Sequence, residues 1–283
     1  MTMKICFSDF WTPFDFNNNF FVNLLRELYE NVEVTTPENA DVMFFSVFGN
    51  ENTLYNHCKK IFYTGENVRP DFTKCDYSLT FDFDDYGGRN FRLPLWYFYI
   101  DWFKVGTYDN PEWLIPESYL YGENEFTKKE KNKFCSIVFS RLVDNRANTI
   151  EVLSSYKSVD KFGKCYNSSY LPEGEKPKLD LISNYKFSIC YENSLYPGYY
   201  TEKLLHAKVA GTIPIYLADE NFSKDFNPNC CINTLGMSFE EILDIIREID
   251  SNDDLYHGIK NQPLFEEKVS LDTISKNILT ILK

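Results

Sequence analysis

Short, uninterrupted apolar runs of strand length recur along the chain, separated by polar turns and by segments of helical spacing, and few folds accommodate that alternation. Met3 to Phe7 is the first such run, and Phe20, Phe21, Leu24, Leu25 and Leu28 then share one helical face, which predicts a helix over Phe20 to Glu30. Val32 to Thr35, Asp41 to Phe48 and Ile61 to Tyr63 read as further strands. A second series opens at Phe134 to Ser140, with Asp144 or Asn145 placed to cap the following helix, and continues through strands at Val159 to Phe162, Phe187 to Tyr191 and Ile213 to Leu217. Phe239 to Ile249 and Val269 to Leu282 carry helical spacing. Strands apolar on both faces suit parallel sheets covered on both sides, so the fold class is α/β with two Rossmann-like halves.

Length supports two halves as well, because 283 residues exceed the usual reach of one hydrophobic core. Lys104 to Lys133, rich in Pro, Gly, Asn and charge, is the expected linker. It divides the chain into residues 1–127 and 128–283 facing a cleft, with the last helix free to pack back on the first domain. A net charge of −13 disfavours nucleic acid and acidic membranes as partners, so any phosphate must be held by a local group of donors. The N-terminus lacks the pattern of a signal peptide, and no apolar run approaches the roughly 20 residues that cross a bilayer. Eight scattered cysteines and three histidines show no metal-site spacing and suit reduced core positions and a cytoplasmic location. Two Asn-x-Ser triplets, at Asn167 and Asn221, weigh little against that.

Chemistry concentrates in Tyr185 to Asp219, which reads as strand, polar loop, helix, strand. The loop from Glu192 to Tyr200 follows a buried strand, where open α/β sheets bind ligands. Thr201 is placed to cap a helix beginning with Glu202 and Lys203, and Gly211 stands where that helix ends. Backbone N–H groups at the helix start and the Lys203 ammonium suit a diphosphate, while Glu202 suits hydroxyl partners. Taken alone, a Thr-Glu-Lys triplet is more often an ordinary solvated first turn.

The whole segment, however, resembles the donor-binding signature of the α-1,3/4-fucosyltransferases, glycosyltransferase family ten, through Glu192, Asn193, Ser194, Tyr199, Thr201, Glu202, Lys203, Ala210, Gly211, Pro214 and Ile215. Phe62 to Phe72 resembles the same family's acceptor-side Gly-Glu-Asn loop, and Lys224 to Asn233 its segment after the last donor-domain strand. The resemblance implies a GT-B architecture and transfer of fucose from GDP-fucose to the 3-hydroxyl of N-acetylglucosamine in an N-acetyllactosamine-type glycan. It further implies Glu66 as general base, Arg146 as a diphosphate ligand with Arg141 as the nearby alternative, and Asn193, Tyr199, Glu202 and Lys203 as donor contacts. Glu202 either holds the ribose or stabilises the cationic sugar. No cofactor is required, and Mn or Mg is at most stimulatory. The basic amphipathic tail of bacterial relatives is absent here, which leaves peripheral membrane attachment open.

Two rival readings stand beside this one. Asp82-Phe83-Asp84 has the spacing with which other glycosyltransferases hold a divalent cation, although such triplets arise by chance in an acidic chain. A catalytically idle module that binds a nucleotide sugar or a glycan would carry the same aromatic richness.

Overall fold

The computed structural model describes residues 2–108, 112–165 and 168–283 and divides the chain into two compact units, Met1–Pro116 with Val269–Lys283, and Glu117–Lys268. The first unit is built on β1 (Met3–Ser8), α1 (Phe20–Leu28), β2 (Val32–Val34), β3 (Val42–Phe45), β4 (Lys59–Tyr63), β5 (Tyr77–Thr80) and β6 (Asn90–Arg92). Its strands form one six-stranded sheet in the order β2-β1-β3-β4-β5-β6, parallel throughout. Alternate residues of β1 show why: Ile5 and Phe7 enter the core under α1, whereas Cys6 enters a smaller cluster with Met43, Phe45 and Phe62 on the opposite face. Both faces are therefore apolar, as the sequence predicts for parallel strands.

The second unit carries β7 (Lys133–Val138), α2 (Asp144–Ser154), β8 (Val159–Phe162), α3 (Glu175–Ile182), β9 (Tyr185–Ile189), α4 (Glu202–Val209), β10 (Ile213–Tyr216), β11 (Ile232–Asn233), α5 (Phe239–Ser251) and α6 (Asp253–Lys260). Its sheet runs β11-β10-β9-β7-β8, again parallel throughout. The final helix, α7 (Asp272–Leu282), buries Ile274, Ile278 and Ile281 in the core of the first unit.

Residues 117–127 group with the second unit, ahead of the expected division at 127/128. Side-chain chemistry explains this: the Asn124 amide donates to Val209 O at 3.1 Å, and Lys131 Nζ donates to the carbonyls of Phe126, Ser183 and Ala210 at 2.9, 2.6 and 2.9 Å. Three carbonyl acceptors match the three N–H of an ammonium. Gly211, after α4, has φ +72°, and a Cβ there would stand 2.8 Å from Thr127 Cα, so this close approach needs glycine.

Helix starts follow the sequence less closely than strands do. Val143, not Asp144 or Asn145, takes the N-cap position of α2, and it offers no side-chain cap. All eight cysteines are free thiols, and seven are buried. Asn167 lies outside the described residues, and Asn221 Nδ2 is engaged by Asp219 at 3.0 Å. Among the described residues no helix is long and apolar enough to cross a membrane.

Candidate functional site

In the second sheet the chain leaves β7 for β8 on one side and returns to β9 on the other. The loops after β7 and β9 therefore part company, and between them opens the crevice where parallel sheets take ligands. It has a volume of about 230 Å³ and is lined by residues 143–145 from the first loop, 191–195 from the second, and Leu217 after β10. Asn193 lies exposed on its wall.

Glu192 organises the floor. Its side chain is only 4% exposed, and the carboxylate accepts from Thr201 N at 2.9 Å, Thr201 Oγ1 at 2.8 Å, Lys203 Nζ at 2.7 Å and the Tyr216 hydroxyl at 3.0 Å. Thr201 occupies the N-cap position of α4, yet its hydroxyl is turned to Glu192 and Lys203, so the expected side-chain cap is not formed. The anion at the amino end of α4 is thus the protein's own carboxylate. Burial lowers the Lys203 pKa, but Glu192 and Glu202 outweigh it and hold the ammonium above its ordinary value.

Arg146 is 2% exposed, projecting from α2 beneath the same loop. It donates Nε and Nη2 to Tyr191 O at 3.1 and 2.5 Å, and Nη1 to Arg141 O at 2.6 Å. Burial depresses its pKa and the nearby Glu192 opposes that. A guanidinium has five N–H donors, and those three bonds employ three of them. Tyr199 is buried beside it, at 5% exposure. Lys203 and Arg146 therefore lie beside Glu192, with Tyr199 near Arg146 and Glu202 near Lys203.

Glu202 faces a second, narrower cavity of about 60 Å³ between α3 and α4, shared with Lys178, Ser188, Cys190, Lys203 and His206. Burial would raise its carboxyl, but Lys203 and then Lys178 pull it down to about 2. It is an anion at any physiological pH. Burial and the same Lys178 push His206 well below the usual imidazole range, so that side chain is neutral.

Glu66 belongs to the first unit, in the turn after β4. Its N–H donates to Thr64 Oγ1 at 2.9 Å and its carbonyl accepts from Val68 N at 2.7 Å, so the main chain is fixed while the side chain is exposed. Among the described residues no donor engages its carboxylate. Asp82 is otherwise employed: Arg69 Nε lies 3.2 Å from it and the Tyr86 hydroxyl 2.9 Å, while Asp84 accepts from Tyr86 N at 2.9 Å. No group of three or more His, Cys, Asp or Glu that could hold a metal occurs among the described residues.

Glu192, Lys178 and Asp219 were given no role by the sequence. Asp219 accepts from Gly198 N at 3.1 Å and from the Tyr200 hydroxyl, which fixes the loop that carries Tyr199. A carboxylate directly after an apolar strand was the available signal for Glu192.

Residues 128–259 match the profile described as the glycosyltransferase family 10 (fucosyltransferase) C-terminal region, and residues 5–99 match the α-(1,3)-fucosyltransferase FucT N-terminal domain. Among curated proteins, α-(1,3)-fucosyltransferase FucT of Helicobacter pylori is 28% identical over 282 residues, covering 90% of this chain and 58% of its own. A putative fucosyltransferase of Acanthamoeba polyphaga mimivirus is 33% identical over 53% of this chain and 27% of its own. The chain thus spans well under two thirds of these relatives. A crystal structure of an α1,3-fucosyltransferase with GDP-fucose superposes with TM-score 0.76 at 26% identity, covering 100% of this chain and 90% of that one. A UDP and glucose complex of Anabaena HepE, TM-score 0.57 at 12% identity, shares the fold alone.

Proposed function

Because the chain belongs to the fucosyltransferases of glycosyltransferase family 10, with its GT-B fold, we propose that it transfers L-fucose from GDP-fucose to a glycan hydroxyl with inversion. The acceptor oxygen attacks the anomeric carbon, the bond from that carbon to the phosphate oxygen breaks, and GDP leaves with the bonding electrons. The hydroxyl proton passes to Glu66, whose carboxylate is exposed on a fixed turn and engaged by no described donor. By the family resemblance, the 3-hydroxyl of N-acetylglucosamine in an N-acetyllactosamine-type glycan is the acceptor.

The observation that carries this reading is the pair of cations held by Glu192, a buried carboxylate that lines the crevice beside Asn193. Lys203 donates to it at 2.7 Å and Arg146 is close enough for the two charges to interact. An entering diphosphate finds two cations and helix N–H groups, and stabilising the charge of departing GDP is what they supply. Arg146 contributes its charge and its two remaining N–H. Tyr199 and Asn193 orient the donor. Glu202, ionised down to about pH 2, accepts from ribose hydroxyls or opposes the positive sugar, and cannot serve as a proton donor.

Glu66→Gln is expected to lower fucose transfer by at least about 100-fold with GDP affinity unchanged; near wild-type transfer removes the base assignment. Lys203→Met should weaken GDP binding by about 10-fold or more, measured by calorimetry on protein checked for folding. Unaltered affinity would sink the diphosphate assignment. No metal ion is needed for this chemistry, so transfer should persist in a chelator, with Mn or Mg at most stimulatory. GDP release measured with and without a glycan acceptor separates the enzyme from an idle binding module.

A further inference from the structure

We propose that a cavity of about 390 Å³ on the second unit, at the carboxyl ends of α4 and α6, binds a small phosphomonoester through Lys208 and Lys260. This site shares no residue with the crevice at Asn193 and stands independently of the fucosyltransferase reading.

Three segments wall the cavity: residues 119–127 ahead of β7, residues 208–211 ahead of β10, and residues 260–264 after α6. β7 and β10 run parallel in one sheet, so the cavity lies at the amino ends of strands, whereas the crevice lies at their carboxyl ends. α4 joins the two, with Glu202 and Lys203 at one end and Lys208 toward the other. The walls are tied to one another. Asn124 Nδ2 donates to Val209 O at 3.1 Å, and Thr127 packs against Gly211. Asn227, only 4% exposed, donates its N–H to Leu264 O at 2.9 Å and its Nδ2 to Pro263 O at 3.0 Å.

In a chain with 42 acidic and 29 basic side chains, lysines gather here almost without acids. The one carboxylate in the lining, Glu123, is 81% exposed and lies 3.9 Å from Lys128. Lys208 is buried at 9% exposure, and burial pulls its ammonium below the ordinary pKa. Lys260 acts in the same direction, against the Cys230 and Cys231 thiols. Lys131, behind the same wall, is pushed down to about 7 by burial and then by Lys260 and Lys129. Crowded ammonium groups repel, and a bound anion relieves them.

Capping of helix ends accounts for only part of this gathering. Lys131 spends its three N–H on carbonyls, and Lys208 Nζ donates to Lys260 O at 3.0 Å. Two N–H of Lys208 and the whole Lys260 ammonium remain, and among the described residues no carboxylate pairs with either. Gln262 Oε1 accepts from Asn227 Nδ2 at 3.4 Å, which leaves its N–H2 end for a ligand. The cavity is thus rich in donors and poor in acceptors. A phosphomonoester carries a charge of about −1.5 to −2 near pH 7, which answers two ammonium groups where a carboxylate answers one. The volume falls within the range of small-ligand pockets, about 300–1,000 Å³, so the body that bears the phosphate is accommodated too. Tyr121, 41% exposed, and Pro263 offer that body an apolar side.

Titration calorimetry of the full chain with glucose 6-phosphate tests the site. Lys260→Met should weaken binding by about 10-fold or more while GDP affinity stays within about 2-fold, and Lys260→Glu should abolish it. Lys260 is half-buried at the end of α6, so its variants are expected to fold even where Lys208→Met does not. Inorganic phosphate should compete, glucuronate should bind at least about 10-fold more weakly, and Lys203→Met should bind glucose 6-phosphate as the unaltered chain does. No binding at millimolar glucose 6-phosphate, affinity unchanged in Lys260→Met, or binding lost in Lys203→Met overturns the site. Glucuronate held as tightly as glucose 6-phosphate overturns the choice of a phosphomonoester. Binding through Lys260 by a protein that takes no GDP and transfers no fucose upholds this site and removes only the fucosyltransferase reading.

Discussion

At the scale of single residues, Glu192 carries more contacts than any side chain proposed to touch the donor. Four donors converge on a carboxylate that water barely reaches. Replacing it with an apolar side chain would strand the Lys203 ammonium and the Thr201 N–H, and breaking a buried pair from one side costs about 3–5 kcal/mol. Glu192→Leu should lose that much in urea unfolding, whereas Glu192→Gln, still able to accept from Thr201 and Tyr216, should lose less than about half of it. Equal losses would mean that charge alone matters. Titration gives a second residue-scale outcome. Glu202 binds its proton near 4.5 when unfolded and near 2 when folded, so its contribution is fully present above pH 4.5 and is lost as pH falls toward 2. His206, pushed well below 6.5 in the fold, adds a penalty once pH drops under 6.5, where only the unfolded chain takes up the proton. Urea midpoints should therefore fall steadily below pH 6.5 and keep falling under 4.5. A midpoint that is flat between pH 6.5 and 4 contradicts the His206 assignment.

At the scale of elements, two helix starts with the same kind of residue do different things. Ser238 caps α5 in full, accepting from Glu241 N at 3.2 Å while Glu241 Oε2 accepts from Ser238 N at 2.7 Å. Thr201 spends its hydroxyl on Glu192 instead. Ser238→Ala should cost about 1 kcal/mol of stability with GDP affinity unchanged, while Thr201→Ala should weaken GDP binding as well, through the freed Glu192 and Lys203. Calorimetry on both variants checks the contrast. Strands such as Ile213–Tyr216 were legible because their apolar runs are continuous, and Gly211 was legible because a positive φ favours one residue type. β6 was not, being three residues long and held by Asn90, whose side chain engages Ser78, Thr80 and Asp84 O. α3 and α6 were missed too, since α3 carries a proline and neither presents a long apolar stripe. Within the site, the motif gave the gathering of Glu202 and Lys203 by adjacency. It could not give Glu192 as their counter-charge, because that contact is made through a loop and the burial of the carboxylate is tertiary.

On the scale of the whole molecule, the chain order and the compact units disagree, and the disagreement has a measurable consequence. Residues 269–283 follow the second unit in sequence but belong to the first in contacts. α7 presents Ile274, Ile278 and Ile281 to the core beneath α1, each at most 3% exposed, with Lys59 Nζ donating to Ile281 O at 2.6 Å. Fully burying three such side chains stabilises by roughly 5 kcal/mol or more, which is comparable to the whole stability of an ordinary domain. A chain ending at Lys268 should therefore lose cooperative unfolding of the first unit, with protease cleavage appearing first within residues 1–116. The second unit keeps its own sheet, its core and the crevice at Asn193, so GDP should still bind the truncated protein with an affinity within about 10-fold of the full chain. Fucose transfer should vanish, because Glu66 sits on the unit that unfolds. Retained transfer by the truncated protein would show that α7 is dispensable to the first core, and loss of GDP binding together with transfer would show that the two units do not stand independently.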